Sequence, residues 1–108
     1  SNVSESATPS RFELHQNYPN PFNPTTMIRF TIPVGTGPAG TTLAGRYAPS
    51  VLKVYDMVGR DVATLVNEEL PPGTYERVFD AHELASGVYL YQLRSGSFVQ
   101  TIKLVLLR

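Results

Sequence analysis

Apolar residues in this chain fall in short runs that alternate with polar ones, and clusters of Gly, Pro, Asn and Asp separate the runs. Ile28, Phe30 and Ile32 share one side of an extended segment while Arg29 and Thr31 share the other. This period of two puts one face of a strand against a core. The same signals predict strands over 11–15, 26–33, 51–57, 60–67, 73–80, 87–94 and 97–107, and few proline-free windows are long enough for a helix. Seven short strands with frequent turn signals in 108 residues predict an all-β fold, a seven-stranded immunoglobulin-like antiparallel β-sandwich.

Two strands carry apolar residues on both faces. Tyr89, Tyr91 and Leu93 share a face while Val88 and Leu90 share the opposite one, and Ile102, Leu104 and Leu106 oppose Val99, Thr101, Lys103, Val105 and Leu107. Such a pattern marks a central strand covered on both sides, or a surface awaiting a partner. Met57-Val58-Gly59-Arg60 and Arg94-Ser95-Gly96-Ser97 predict tight hairpins in which Gly supplies a positive φ. Leu70-Pro71-Pro72-Gly73 predicts a rigid turn that stops one strand before the next. Asp80 to Gly87 has a capping Asp and a closing Gly and predicts one helical turn. Leu84, Gly87 and Tyr89 have the spacing of a tyrosine corner, in which the hydroxyl ties a loop to its own strand. Arg77 shares a face with Tyr75 and Phe79, where an apolar residue would fit better, so either the register there is different or the strand lies at an edge.

Composition narrows the function. Nine basic and nine acidic residues cancel, which gives no electrostatic reason to expect nucleic acid or an anionic membrane as partner. No window approaches the roughly eighteen apolar residues of a membrane-spanning helix, and no basic-then-apolar export signal opens the chain. The start at Ser1 without Met suggests a piece of a longer protein. Zero cysteines exclude disulfides and Cys-based metal sites. Residues 1–10 have the polar, Ser-rich composition of a flexible linker to an upstream domain, and a single domain is expected over 11–108. His15 and His82 lie in separate segments without carboxylates at ligand spacing, so no metal or catalytic role is expected of them. Asp56, Asp61 and Asp80 sit beside turns, where capping explains them, although loop carboxylates of this kind also serve calcium sites. Tyr18, Tyr47 and Tyr55 are candidates for a sugar-binding platform, because Tyr89 and Tyr91 belong to the core. No nucleophile elbow, phosphate loop or paired-carboxylate cleft is present, and neither catalysis nor a cofactor is expected.

The segment Tyr18-Pro19-Asn20-Pro21-Phe22-Asn23-Pro24 is a shaped turn, because its three prolines lack N–H donors and restrict the residues before them. Phe22 is compatible with such rigidity only if its ring is tucked against the body. With Phe12-Glu13-Leu14 and Asn17 before it, and Thr25-Thr26 and Ile28-Arg29-Phe30 after it, this stretch resembles the opening of the type A C-terminal sorting domain of the type IX (Por) secretion system. Val54-Tyr55-Asp56-Met57-Val58-Gly59-Arg60 resembles that family's second motif, Leu84-Ala85-Ser86-Gly87-Val88-Tyr89-Leu90-Tyr91 its third, and Lys103-Leu104-Val105-Leu106-Leu107-Arg108 its last. A related immunoglobulin-like domain occurs in flagellar hook-capping proteins. Residues 34–50 look like an inserted mobile loop relative to the family, with Arg46 and Tyr47 as groups that would dock it.

The resemblance implies a non-catalytic signal domain that directs an upstream cargo domain in the same chain through the outer-membrane translocon. The route is the periplasm in transit, then the cell surface or the medium. A sortase-like cell-surface peptidase as second partner, cleavage within residues 1–10, and a monomeric domain are further expectations of the same reading. The sorting residues it assigns are Pro19, Asn20, Pro21, Phe22, Asn23, Pro24, Tyr55, Asp56, Gly59, Arg60, Gly87, Tyr89 and Lys103 to Arg108. The last strand, if it lies at a sheet edge, would offer its backbone to another chain by strand addition. The rival readings are a carbohydrate-binding or cell-attachment module and a structural spacer.

Overall fold

The computed structural model describes residues 11–33 and 49–108. The linker expected over 1–10 and the inserted loop expected over 34–50 therefore lie outside the described residues, apart from Pro49 and Ser50. The strands are β1 (Glu13–Leu14), β2 (Thr25–Ile32), β3 (Pro49–Tyr55), β4 (Asp61–Glu69), β5 (Gly73–Asp80), β6 (Gly87–Ser95) and β7 (Phe98–Leu106). They pair antiparallel in two sheets, β1-β2-β5 and β4-β3-β6-β7, and no helix occurs among the described residues. This is the all-β sandwich that the alternation predicts.

The buried apolar side chains of both sheets meet in one core. Ile28, Phe30 and Ile32 of β2 face Leu52 and Val54 of β3, Tyr91 and Leu93 of β6 and Leu104 and Leu106 of β7 in one buried cluster. Burying one such side chain stabilises by about 1.5–3 kcal/mol, so this cluster is the main favourable contribution to the fold. Phe30 stacks on Tyr75 across β2 and β5 with ring centroids 5.4 Å apart. The Tyr91 hydroxyl donates to the His15 carbonyl and joins the two layers, and burial pushes that hydroxyl up to about 12. Register shifts between β3 and β4 fall at Leu52/Lys53 and at Val54/Tyr55, and they let Val62, Ala63 and Leu65 all pack on the core side.

Three local expectations are adjusted. β1 is only two residues long, because after His15 N–H donates to the Arg29 carbonyl, Gln16 and Asn17 leave the ladder to begin the proline loop. β3 starts two residues earlier and stops at Tyr55, since Pro49 and Ser50 pair with Glu69 and Glu68 while Asp56 folds into the hairpin turn. The connection between β5 and β6 makes no helical turn. Leu84 N–H donates to the Ala81 carbonyl and Asp80 Oδ1 accepts from His82 N–H, which closes two short turns instead.

Arg77 keeps the predicted register, opposite Ile28, and β5 is an edge strand. Its guanidinium faces inward at the rim, 5.7 Å from the Tyr75 ring centre and 4.0 Å from Glu68 of β4. A charge aimed inward at an exposed edge discourages pairing with a foreign strand. Both hairpins form as expected, with φ of 90° at Gly59 and 60° at Gly96. The tyrosine corner forms too: the Tyr89 hydroxyl donates to the Ala85 carbonyl at 2.7 Å.

Candidate functional site

The strand registers bring the four sequence motifs to one pole of the sandwich. Thr25 pairs with Asp80, Tyr55 with Asp61 and Leu90, and Gly87 with Leu106, so the loop 18–24, the turn 56–60, the connection 81–86 and residues 107–108 all project from the same end. At the opposite pole Ile32 meets Gly73, Pro49 meets Glu69 and Ser95 meets Phe98. Phe12 stacks on Phe98 there at 4.6 Å, so the described chain begins at the pole away from the motifs.

At the motif pole the proline loop clasps the free edge of β7. Asn17, buried in spite of its amide, donates to the Pro19 carbonyl at 3.1 Å and to Thr26 Oγ1 at 3.0 Å, and Thr26 Oγ1 donates to the same carbonyl at 2.8 Å. This small network shapes the loop from within; the peptide bonds before Pro19, Pro21 and Pro24 are all cis. The loop then bonds outward. Gln16 Nε2 donates to the Lys103 carbonyl at 2.9 Å, and Val105 N–H donates to Asn20 Oδ1 at 3.0 Å. Phe22 N–H donates to the Val105 carbonyl and Leu107 N–H to the Phe22 carbonyl, each at 3.0 Å, a parallel bridge between Phe22 and Leu106. The Phe22 ring is only 2% exposed and lies 6.0 Å from the Phe79 ring. β7 is thus an edge strand, but from Lys103 to Leu107 its outward backbone groups are taken by the chain's own loop. Strand addition along that stretch is corrected to an internal clasp.

The other motifs complete the pole. Asp56 Oδ1 accepts from Val58 N–H at 3.1 Å and Arg60 N–H at 2.9 Å, and Oδ2 pairs with Arg60 Nε at 2.8 Å. Arg108 Nη1 lies 3.2, 2.6 and 3.2 Å from the carbonyls of Ala81, His82 and Leu84, to which it donates, and its own N–H donates to Ser86 Oγ at 2.9 Å. One guanidinium thereby satisfies carbonyls of a connection that no helix or strand would satisfy. Of the sorting residues, Phe22, Tyr89, Leu104 and Leu106 are buried, whereas Pro19, Asn20, Pro21, Asn23, Gly59, Arg60, Lys103, Leu107 and Arg108 are exposed. Gln16, Asn17, Thr26 and Ser86 join the same assembly without having been singled out as site residues. The signal for Thr26 was a polar residue on the inward face shared with Ile28 and Phe30, directly after the proline loop.

Two carboxylates here titrate low. The Arg60 backbone N–H, helped by the Arg60 side chain and Val58 N–H, holds Asp56 below its ordinary 3.8, and the His82 backbone N–H does the same for Asp80. A depressed folded-state pKa adds stability that is present above the unfolded value and lost as the pH falls through the folded one. The thermal midpoint is therefore expected to be flat near neutrality and to fall below about pH 4, and Asp56→Asn with Asp80→Asn should flatten that acid limb. Thermal unfolding followed by circular dichroism from pH 7 to 2 checks this; an unchanged acid limb in the double variant would contradict it.

The candidate chemistry does not converge. His15 pairs with Glu13 and His82 with Asp80, in separate segments, and among the described residues no group of three or more His, Cys, Asp or Glu is placed to hold a metal ion. Tyr18 is 81% exposed on the outer face of the three-stranded sheet, beside an open groove lined by His15, Gln16, Met27, Arg29 and Glu76, where Arg29 and Glu76 are paired at 2.7 Å. Tyr55 lies on the outer face of the other sheet, so the two rings cannot form one platform, and Tyr47 lies outside the described residues. No helix among the described residues is long and apolar enough to cross a membrane.

The described residues form a two-layer immunoglobulin-like module whose distinctive residues assemble one pole. A comparison with curated proteins gave no match. The family model of the secretion system C-terminal sorting domain matches residues 16–107, and the chain belongs to that family. It carries a sorting signal for type IX secretion, a function that implies interaction with the type IX machinery, a cargo in the same chain, and export to the cell surface or the medium. The family is not known as catalytic.

Proposed function

We propose that this domain acts without catalysis as the address of its cargo: it folds in the periplasm, is received there by the outer-membrane translocon, and is removed at the cell surface by a sortase-like peptidase. The observation that supports this reading most is the separation of the two poles. The four motifs gather at one end, and the first described residues lie at the other, with Phe12 beside Phe98. A receptor at the motif pole leaves the start of the domain accessible, and residues 1–10, of linker composition, are the natural cleavage region because a protease needs extended, exposed backbone. In this reading residues 11–108 are the sorting domain with 34–50 an inserted loop, and Pro19, Asn20, Pro21, Phe22, Asn23, Pro24, Tyr55, Asp56, Gly59, Arg60, Gly87, Tyr89 and Lys103 to Arg108 make the signal together.

Fusing residues 1–108 behind a periplasmic reporter in a type IX-competent bacterium should bring the reporter to the surface or the medium. The same fusion without Lys103 to Arg108 should leave it in the periplasm. Normal surface display of the shortened fusion would overturn the reading.

A further inference from the structure

β6 is a central strand between β3 and β7, and its inner face, Tyr89, Tyr91 and Leu93, is buried. Its outer face, with those of its neighbours, forms rows across the sheet: Asp61, Tyr55, Leu90 and Lys103 in one, and Val88 beside Val105 in the next. Tyr55, Val88, Leu90 and Val105 are half-buried, so solvent reaches all four, where the solvent face of an antiparallel sheet is ordinarily polar. These four residues come from the second, third and last motifs, and they lie at the motif pole.

The charges around the patch are uneven. Lys53 Nζ is 2.9 Å from Asp61 Oδ2, which neutralises that corner. Lys103 is exposed, and among the described residues its ammonium has no partner, although its carbonyl is held by Gln16. An apolar surface with one unanswered cation at its margin fits an apolar surface that bears a carboxylate. An anionic membrane would be met by a cluster of cations, which a chain of zero net charge does not offer here. A second copy would bring only an Asp61 already neutralised by its own Lys53.

We infer that this outer face, centred on Leu90, is where the folded domain docks face-on to a protein of the export machinery, whose surface is apolar and carries a carboxylate opposite Lys103. The inference rests on the sorting reading above. The internal clasp supports a face-on approach, since the adjoining edge of β7 from Lys103 to Leu107 is already occupied.

The test uses the full 108-residue chain fused to the reporter. Leu90→Thr and Lys103→Glu should each reduce export about tenfold or more, the effect of losing a contact of about 1.4 kcal/mol, while Lys103→Arg retains it. Val78→Thr, on the outer face of the other sheet, should export normally, and all four should unfold cooperatively. A photo-crosslinker at position 90 should capture a cell-envelope protein in exporting cells, and Lys103→Glu should abolish that adduct. Undiminished export of Leu90→Thr and Lys103→Glu would overturn the docking face while leaving the sorting reading intact, whereas a wild-type fusion that stays in the periplasm would overturn the sorting reading itself. Adducts only with lipid or with a second copy of the domain would also overturn the docking face.

Discussion

Replacing Phe22 by Ala is expected to destabilise the domain by about 3–5 kcal/mol, a large share of the roughly 5–15 kcal/mol that holds a domain of this size together. The ring is 2% exposed and lies against Phe79 of the other strand pair, so its removal opens a cavity lined by both sheets. The cost extends beyond the cavity. Phe22 exchanges two backbone hydrogen bonds with β7, and with no ring to anchor it the loop loses the reason to sit on that edge. Chemical denaturation followed by far-ultraviolet circular dichroism measures the effect, and amide exchange at Val105 and Leu107 should rise with it. A loss below about 1 kcal/mol would show that the loop is not held by its ring.

Removal of Lys103 to Arg108 is expected to abolish cooperative unfolding altogether. Leu104 and Leu106 are 0% exposed, and losing each side chain costs about 2–5 kcal/mol by itself. Their loss also strips β6 of the partners of Gly87, Val88, Tyr89 and Leu90 and leaves Phe22 without a strand to bridge. The sum equals or exceeds the whole stability. Arg108→Ala removes only the hydrogen bonds to the Ala81, His82 and Leu84 carbonyls and should cost about 1–2 kcal/mol with the transition still sharp. Near-ultraviolet circular dichroism, which reports packed tyrosines, separates the two outcomes. A shortened domain that still melts sharply would count against this account.

Much of the fold was legible because it is written locally. Alternation of Ile28, Arg29, Phe30, Thr31 and Ile32 shows a face, and Gly59 and Gly96 mark hairpins, in a code that spans a few residues. Arg77 looked misplaced only because the sequence does not say which strand is an edge; once β5 is the outermost strand of its sheet, an inward cation at the rim is ordinary. The clasp was not legible. It depends on Gln16, Asn20 and Phe22 meeting backbone groups more than eighty residues away, and hydrogen bonds to backbone impose no residue type on the partner. For the same reason the sequence did not show that the edge of the last strand is occupied. The double-sided apolar pattern of Val88 and Leu90 left two meanings, a covered strand or a waiting surface, because the pattern along one strand does not say what lies over its outer face; the structure adds that β6 is central in the order β4-β3-β6-β7.

The clasp also gives the address a condition of completeness. Phe22 emerges early from a ribosome and must wait for Val105 and Leu107 before it can seat, so a cargo whose synthesis halts ahead of β7 carries nearly every motif yet never assembles the pole. With the assembled pole as the signal proposed above, unfinished passengers would go unlabelled with no separate inspection step.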